Sequence, residues 1–138
     1  MSADTNDFDQ QIMDDFRANG GRCGGAFTGV PMVIVHHTGA RSGAVRHTPL
    51  TYLPAGDDVV IFASKGGDPT NPAWYHNLIA NPDTVIELGT EIVPVRVREA
   101  KGTERDELFE RQKRAMPPFA DYEARTSRVI PVLVLERR

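Results

Sequence analysis

The amino-acid sequence predicts an α+β domain built on a small antiparallel sheet or barrel, with about six strands and about three helices. Three observations carry that expectation. β-patterned runs follow one another at 32–37, 47–53 and 59–64, and again at 84–88 and 92–99, with turns rather than helices joining most of them. Such succession belongs to antiparallel architectures and argues against the strand–helix alternation of a dinucleotide-binding fold. The length of 138 residues closes one core but not two. The 40% hydrophobic and 25% charged fractions are ordinary for a globular domain, with no internal repeat and no low-complexity stretch.

Phe8, Ile12 and Phe16 recur every fourth residue and predict an N-terminal helix within residues 1–19, stopped by Gly20-Gly21. The remainder, 20–138, reads as a single domain. Five glycines in GGRCGGAFTG (20–29) predict a flexible connection. MVIVHH (32–37) is an apolar strand; HTPLTYL (47–53) and VVIFAS (59–64) follow, joined by a turn over 54–58. In NPAWYHNLIANP (71–82), Asn71 is placed to cap a helix, Pro72 suits its first position and Asn81-Pro82 ends it. TVIEL (84–88) and IVPVRVRE (92–99) form a hairpin around Gly89-Thr90, and Pro94 predicts that its second strand is an edge or a bulged one. Thr103 and Asp106 approximate a capping box for a helix to about Met116. Residues 117–128 hold one more short helical turn, and VIPVLVLE (129–136) is a buried strand.

Charge and motifs exclude several classes. No apolar run approaches the roughly 18 residues that span a bilayer. The opening MSADTNDFDQQIMDDF is acidic, unlike a signal peptide, and Cys23 is the single cysteine, so a reducing cytoplasm is expected. Residues 17–65 carry Arg17, Arg22, Arg41, Arg46 and Lys65 against Asp57 and Asp58, inside a chain of net charge −3. A basic middle third in an acidic protein suits a discrete anionic ligand better than nucleic acid. His36, His37, His47 and His76 show no metal-ligand spacing and no carboxylate is placed beside them, so no metal site is expected. A nucleophile elbow, a Walker A loop and a dinucleotide fingerprint are all absent from the sequence.

Three segments carry the candidate chemistry. In TGARSGAVRHTP (38–49), Gly39 and Gly43 permit a tight turn from which Arg41, Ser42 and Arg46 present donors to a phosphate or carboxylate. An ordinary hairpin with surface arginines fits the same pattern. SKGG (64–67) offers a hydroxyl, an ammonium and two glycines that let backbone approach a ligand. On the helix, Trp74 reads as core or as a ligand wall, and the Asn77 amide, about one turn on, suits a ring edge.

Taken in order, TGARSGAVRHTPL, FASKGGDPTNPAWYHNLIANP and FADYEARTSRVIPVLVLE resemble the deazaflavin-dependent nitroreductase family of actinobacteria, over roughly residues 20–137. The resemblance implies a split β-barrel, a binding site for the anionic 5-deazaflavin coenzyme F420, and hydride transfer to a quinone, enone or nitro compound. It implies that Ala40, Arg41 and Ser42 meet the phosphate and polyglutamate tail. Arg46, His47, Thr48, Pro49, Leu50 and Thr51 would run beside the coenzyme. Phe62, Ala63, Ser64 and Lys65 would line its pocket, as would Ala73, Trp74, Tyr75, His76 and Asn77 on the helix. Ser64 and Tyr122 are the implied catalytic groups, with Tyr122 the candidate proton donor. Two departures stand out. Ala40 takes the place of an arginine in the family's usual Gly-Arg-Lys-Ser loop, and Met116 and Phe119 stand where well-known members carry tyrosines. Two rivals remain open: a split-barrel oxidoreductase using flavin mononucleotide, and a binding protein that sequesters coenzyme, haem or lipid without turnover. The expected partner is a small-molecule acceptor, with a homodimer and a peripheral membrane contact compatible with the sequence.

Overall fold

Seven strands form one antiparallel sheet in the computed structural model, which describes residues 7–138. The strands are β1 (Met32–Thr38), β2 (Val45–Thr51), β3 (Leu53–Ala55), β4 (Asp58–Phe62), β5 (Asp83–Leu88), β6 (Glu91–Glu99) and β7 (Val132–Arg137). Their order across the sheet is β2-β1-β5-β6-β7-β4-β3. The two edge strands, β2 and β3, are consecutive in the chain and separated by Tyr52 alone. A flat sheet could not satisfy that connection. The sheet curls until its edges lie one residue apart, which is the split-barrel form; the Tyr52 N–H, donating to Pro31 O at 3.2 Å, prolongs the β1–β2 ladder up to that seam. The single strand expected over 47–53 is therefore two, one on each edge.

Parity along the strands sorts the core. Val33, Val35, Val59, Ile61, Val93, Val95, Val97, Leu133 and Leu135 fill the barrel interior. The alternate residues Val60, Phe62, Val132 and Val134 face outward under two helices. Strands buried on both faces read as continuous apolar runs, which is why β1, β4 and β7 show no polar alternation. The helices are α1 (Asp7–Ala18), α2 (Ala73–Ala80), α3 (Gly102–Ala115) and α4 (Pro118–Arg125), with 3₁₀ turns at Gly25–Phe27 and Lys65–Gly67. α2 packs Trp74 and Leu78 into the interior cluster. α3 and α4 cover the β4–β7 face with Phe109 and Phe119, and α1 covers β1 with Met13 and Phe16 against Met32 and Ile34. None of the helices described is long and apolar enough to cross a membrane.

Several expectations need correction. Of the helix expected within 1–19, residues 1–6 lie outside the described residues. Its inner face is Met13 and Phe16, while Phe8 is 63% exposed. Asn71 does not cap α2; Pro72 takes that place, and Asn71 Oδ1 accepts instead from Arg128. β6 is an inner strand between β5 and β7, not an edge. Pro94 is tolerated because it stands at the last rung of the β6–β7 ladder, where its carbonyl still accepts the Arg138 N–H at 3.0 Å and only the reciprocal bond is missing. The Thr103–Asp106 capping box does not form: α3 begins at Gly102 with no side-chain cap, and Asp106 pairs with Arg105. Residues 118–125 form a two-turn helix rather than a single turn.

Candidate functional site

The β1–β2 turn runs from Gly39 to Ala44 and is closed by Gly39 N–H to Ala44 O at 2.8 Å and Gly43 N–H to Gly39 O at 3.0 Å. Gly43 sits at φ +72°, a left-handed conformation that favours glycine. A Cβ on Gly39 would meet Ser42 Oγ, so a larger residue there would turn that hydroxyl away from the Ala44 N–H it accepts. The turn overhangs a depression of about 540 Å³, which it lines with Ala40, Arg41 and Ser42. Arg46 from β2 and Ala73, His76 and Asn77 from α2 complete the wall. Two guanidinium groups and a hydroxyl with no carboxylate among these lining residues make a positive cradle suited to a phosphate or carboxylate.

A second depression, of about 320 Å³, lies beyond the first turn of α2. Phe62, Trp74, Met116, Phe119 and Tyr122 give it aromatic and thioether walls, with Leu50 and Phe27 alongside. Thr51, Ser64 and Lys65 supply its polar groups. The rings are interlocked: Phe119 packs edge-on against Phe62 at 5.9 Å and against Tyr122 at 5.0 Å between centroids. Lys65 has φ +46°, the only positive value at a non-glycine among the described residues, and Gly66 and Gly67 continue the left-handed path at +63° and +86°. A backbone held in that sparsely populated region must be over-determined by its surroundings. The cause is Arg128. Its guanidinium donates to Ala63 O, Ser64 O, Asp68 O and Asn71 Oδ1 at 2.8–3.1 Å, so one side chain fixes the whole of 63–71.

The two depressions share α2 and β2, and together they gather most of the residues expected from sequence. His47, Thr48, Pro49, Ala63 and Tyr75 line neither. In an antiparallel pair, directly opposed residues share a face, and the register opposes His37 to Arg46, Val35 to Thr48 and Val33 to Leu50. Arg46, Thr48 and Leu50 therefore belong to the inner face. His47 and Pro49, opposed to His36 and Ile34, belong to the α1 face. Ala63 is core, and the Tyr75 hydroxyl donates to Glu99 at 2.9 Å. Asn77 is engaged inside the protein: its Oδ1 accepts the Ala40 N–H at 2.9 Å, and its Nδ2 meets His37 Nδ1 at 3.0 Å.

Sequence reasoning missed Arg128, Phe27 and His37, and also a carboxylate beside the histidines. Arg128 acts on backbone carbonyls some sixty residues away, which no local pattern reports. His36 and His47 stack at 4.0 Å, and Glu87 from β5 accepts from His36 at 2.7 Å and from the Arg17 fork at 2.8 and 2.9 Å. The Arg17 contact, then that of His36, holds the Glu87 carboxyl down at about 2. Burial, then His36 and Arg17, holds the His47 imidazole below its usual range. These three side chains lie close enough to share a cation. Two face-to-face imidazoles, however, cannot both aim an in-plane lone pair at one point between them, and Arg17 already occupies both carboxylate oxygens. The cluster instead clamps α1 to the outside of the barrel.

Comparison with known proteins gives a consistent result. The family model described as F420H(2)-dependent quinone reductase matches residues 10–137. An F420H(2)-dependent quinone reductase of Mycobacterium tuberculosis (strain H37Rv) is 41% identical over 127 residues, covering 89% of this chain and 85% of that protein. Among solved structures, an F420-H2 dependent reductase, FDR-A, is 39% identical with a TM-score of 0.71, over 77% of this chain and 94% of that one. A structure described as a domain-swapped dimer is 33% identical with a TM-score of 0.73, over 92% and 93%. A haem-binding protein of Mycobacterium smegmatis, 16% identical at a TM-score of 0.60, shares the fold.

Proposed function

The chain belongs to the F420H(2)-dependent quinone reductase family, and from that premise we propose that it is an oxidoreductase passing hydride from reduced coenzyme F420 to a quinone. One observation carries the reading: a cradle lined by Arg41, Ser42 and Arg46 and an aromatic-walled depression stand on either side of the first turn of α2. A ligand that joins a polyanionic tail to a flat tricycle requires that pairing.

The residues present fit the coenzyme. Arg41, Arg46 and Ser42 are the groups for its phosphate and tail. Trp74 and Phe62 are the walls for its ring, and Lys65 is a cation in the ring depression. When bound, the reduced deazaflavin supplies a hydride, and the quinone takes it up together with a proton to become the hydroquinone. The chain's own task is to orient the two rings and exclude water, which the interlocked Phe62, Phe119 and Met116 do by filling the outer wall. Ser64, 7% exposed and with its backbone carbonyl held by Arg128, is the hydroxyl for the ring or acceptor edge. Tyr122 is the proton donor in this reading, since a phenol within reach of the acceptor can act as general acid. Met116 and Phe119 leave Tyr122 as the one hydroxyl among the three positions where other members carry tyrosines, which favours quinones over nitro compounds. The assembly is a homodimer in this reading, supported by the 33%-identical neighbour, and light scattering tests it. The free thiol of Cys23 suits the reducing cytoplasm.

The test measures binding of coenzyme F420 and of flavin mononucleotide to the purified protein, then oxidation of the reduced deazaflavin with menadione as acceptor. We expect tighter binding of the deazaflavin and measurable turnover. Arg41→Ala should weaken coenzyme binding about ten- to hundredfold, the loss of one hydrogen bond to a charged group, on the order of 1.5–3 kcal/mol. Preference for flavin mononucleotide, or binding without turnover, would refute the reading.

A further inference from the structure

Strand parity sends His37 to the inside of the barrel, in line with Val33 and Val35, where it is 4% exposed. It lines neither depression, yet it stands at the centre of a buried chain of hydrogen bonds that ends on the anion cradle. The direction of each bond follows from its partners. The Ala40 N–H can only donate, so the atom of Asn77 it meets at 2.9 Å is Oδ1. The other end of that amide is therefore Nδ2, which can only donate, and His37 Nδ1 at 3.0 Å must accept. A neutral imidazole that accepts at Nδ1 carries its proton on Nε2, and that proton goes to Thr48 Oγ1 at 2.8 Å. With either His37 nitrogen reversed, donor would face donor at Asn77. The amide could then turn over only by setting its NH₂ against the Ala40 N–H.

We propose that His37 is a positioning residue for the coenzyme's anionic part. Its Nε2–H tautomer locks the Asn77 amide, the amide holds Ala40, and Ala40 holds the Gly39–Ala44 turn so that Arg41 and Ser42 stand over the cradle. The inference rests on the function proposed above. It assigns His37 to affinity for the phosphate and tail and gives it no part in hydride transfer. It also accounts for a loop that carries alanine at 40: what matters at that position is the backbone N–H, not the side chain.

The experiment compares His37→Leu and His37→Asn with the parent protein, using intact coenzyme F420 and its phosphate-free, tail-free chromophore as two probes. Asparagine retains an acceptor where Nδ1 stands; leucine fills more of the space but accepts nothing. We expect His37→Leu to weaken the intact coenzyme at least tenfold and to raise its KM with kcat within twofold, while the tail-free chromophore binds within twofold of the parent. His37→Asn should bind both probes within threefold. Equal losses on both probes, an unchanged His37→Leu, or an asparagine variant worse than the leucine one would overturn the proposal, because a purely packing role predicts the last of these. Nitrogen-15 spectra of the unaltered protein decide the matter independently of how the variants fold. His37 must show the Nε2–H tautomer at neutral pH, and a resting Nδ1–H form contradicts the scheme. Failure of the parent to bind coenzyme at all would strike the proposed function, whereas a tail-indifferent His37→Leu strikes only this inference.

Discussion

Glu87 shows how one side chain can tie distant parts of the molecule together and make that tie depend on pH. Its folded pKa of about 2 lies below the usual 4.5. The unfolded chain therefore takes up the proton more readily, and the stabilisation is complete above about pH 5 and lost as pH falls toward 2. The shift corresponds to at most about 3 kcal/mol, less what solvent screens at this half-buried carboxylate. His47 adds a second loss in the same direction. Its folded pKa is lowered from 6.5, so its share is present above that value and fades as pH drops below it. Melting temperature recorded from pH 8 to pH 3 should thus fall in two stages. Glu87→Gln should flatten the lower stage; parallel curves for the two proteins would contradict this. Arg128 allows a different test. Lysine keeps the charge but not the planar fork, and it cannot reach carbonyls at 63, 64 and 68 together. Arg128→Lys should cost about 2–3 kcal/mol in urea unfolding and raise the KM for the coenzyme. The cationic turn was legible at this scale because glycine, arginine and serine are adjacent in sequence. Arg128 and Glu87 were not, because their partners become neighbours only in the folded sheet.

Among the elements, the 3₁₀ turn at Lys65–Gly67 and the helix α4 are fitted to each other. A Cβ at Gly67 would lie 2.8 Å from both Arg125 Cβ and Tyr122 O, and φ there is +86°, whereas Gly66 has open space around it. Gly66→Ala should therefore cost only the left-handed penalty, about 1–2 kcal/mol. Gly67→Ala should cost at least about 2 kcal/mol more, since backbone has to move. That movement would also displace Tyr122 and lower kcat. Equal destabilisation by the two variants in denaturant titrations would show that α4 does not bear on the turn. The apolar periodicity of α1 and the hairpin at Gly89-Thr90 could be seen in the sequence. The Asn71 cap and the Thr103–Asp106 box could not, because each rests on a side chain drawn elsewhere, Asn71 by the distant Arg128 and Asp106 by its neighbour Arg105. The status of β6 was misread for a similar reason: Pro94 forbids a central position only where a ladder bond is needed, and the register decides that.

Across the whole molecule, the sheet has a rigid middle and open margins. β6 and β7 are paired on both sides, whereas β2 and β3 are paired on one. Hydrogen exchange should be slowest in 93–98 and 132–136 and fastest in 20–30 and 53–57. Protection as high in β3 as in β7 would mean that the seam at Tyr52 is sealed by more than chain connectivity. The fold class followed from the succession of strands, which left sheet and barrel open; the family resemblance implied the split barrel, and the seven-strand order shows how it closes. That order also bears on the birth of the protein. β7 bridges β6 to β4, so a nascent chain that has emerged only as far as residue 131 owns two separate sub-sheets with no shared ladder. The two sub-sheets become one only when β7 pairs with both, so closure of the barrel waits for its last strand.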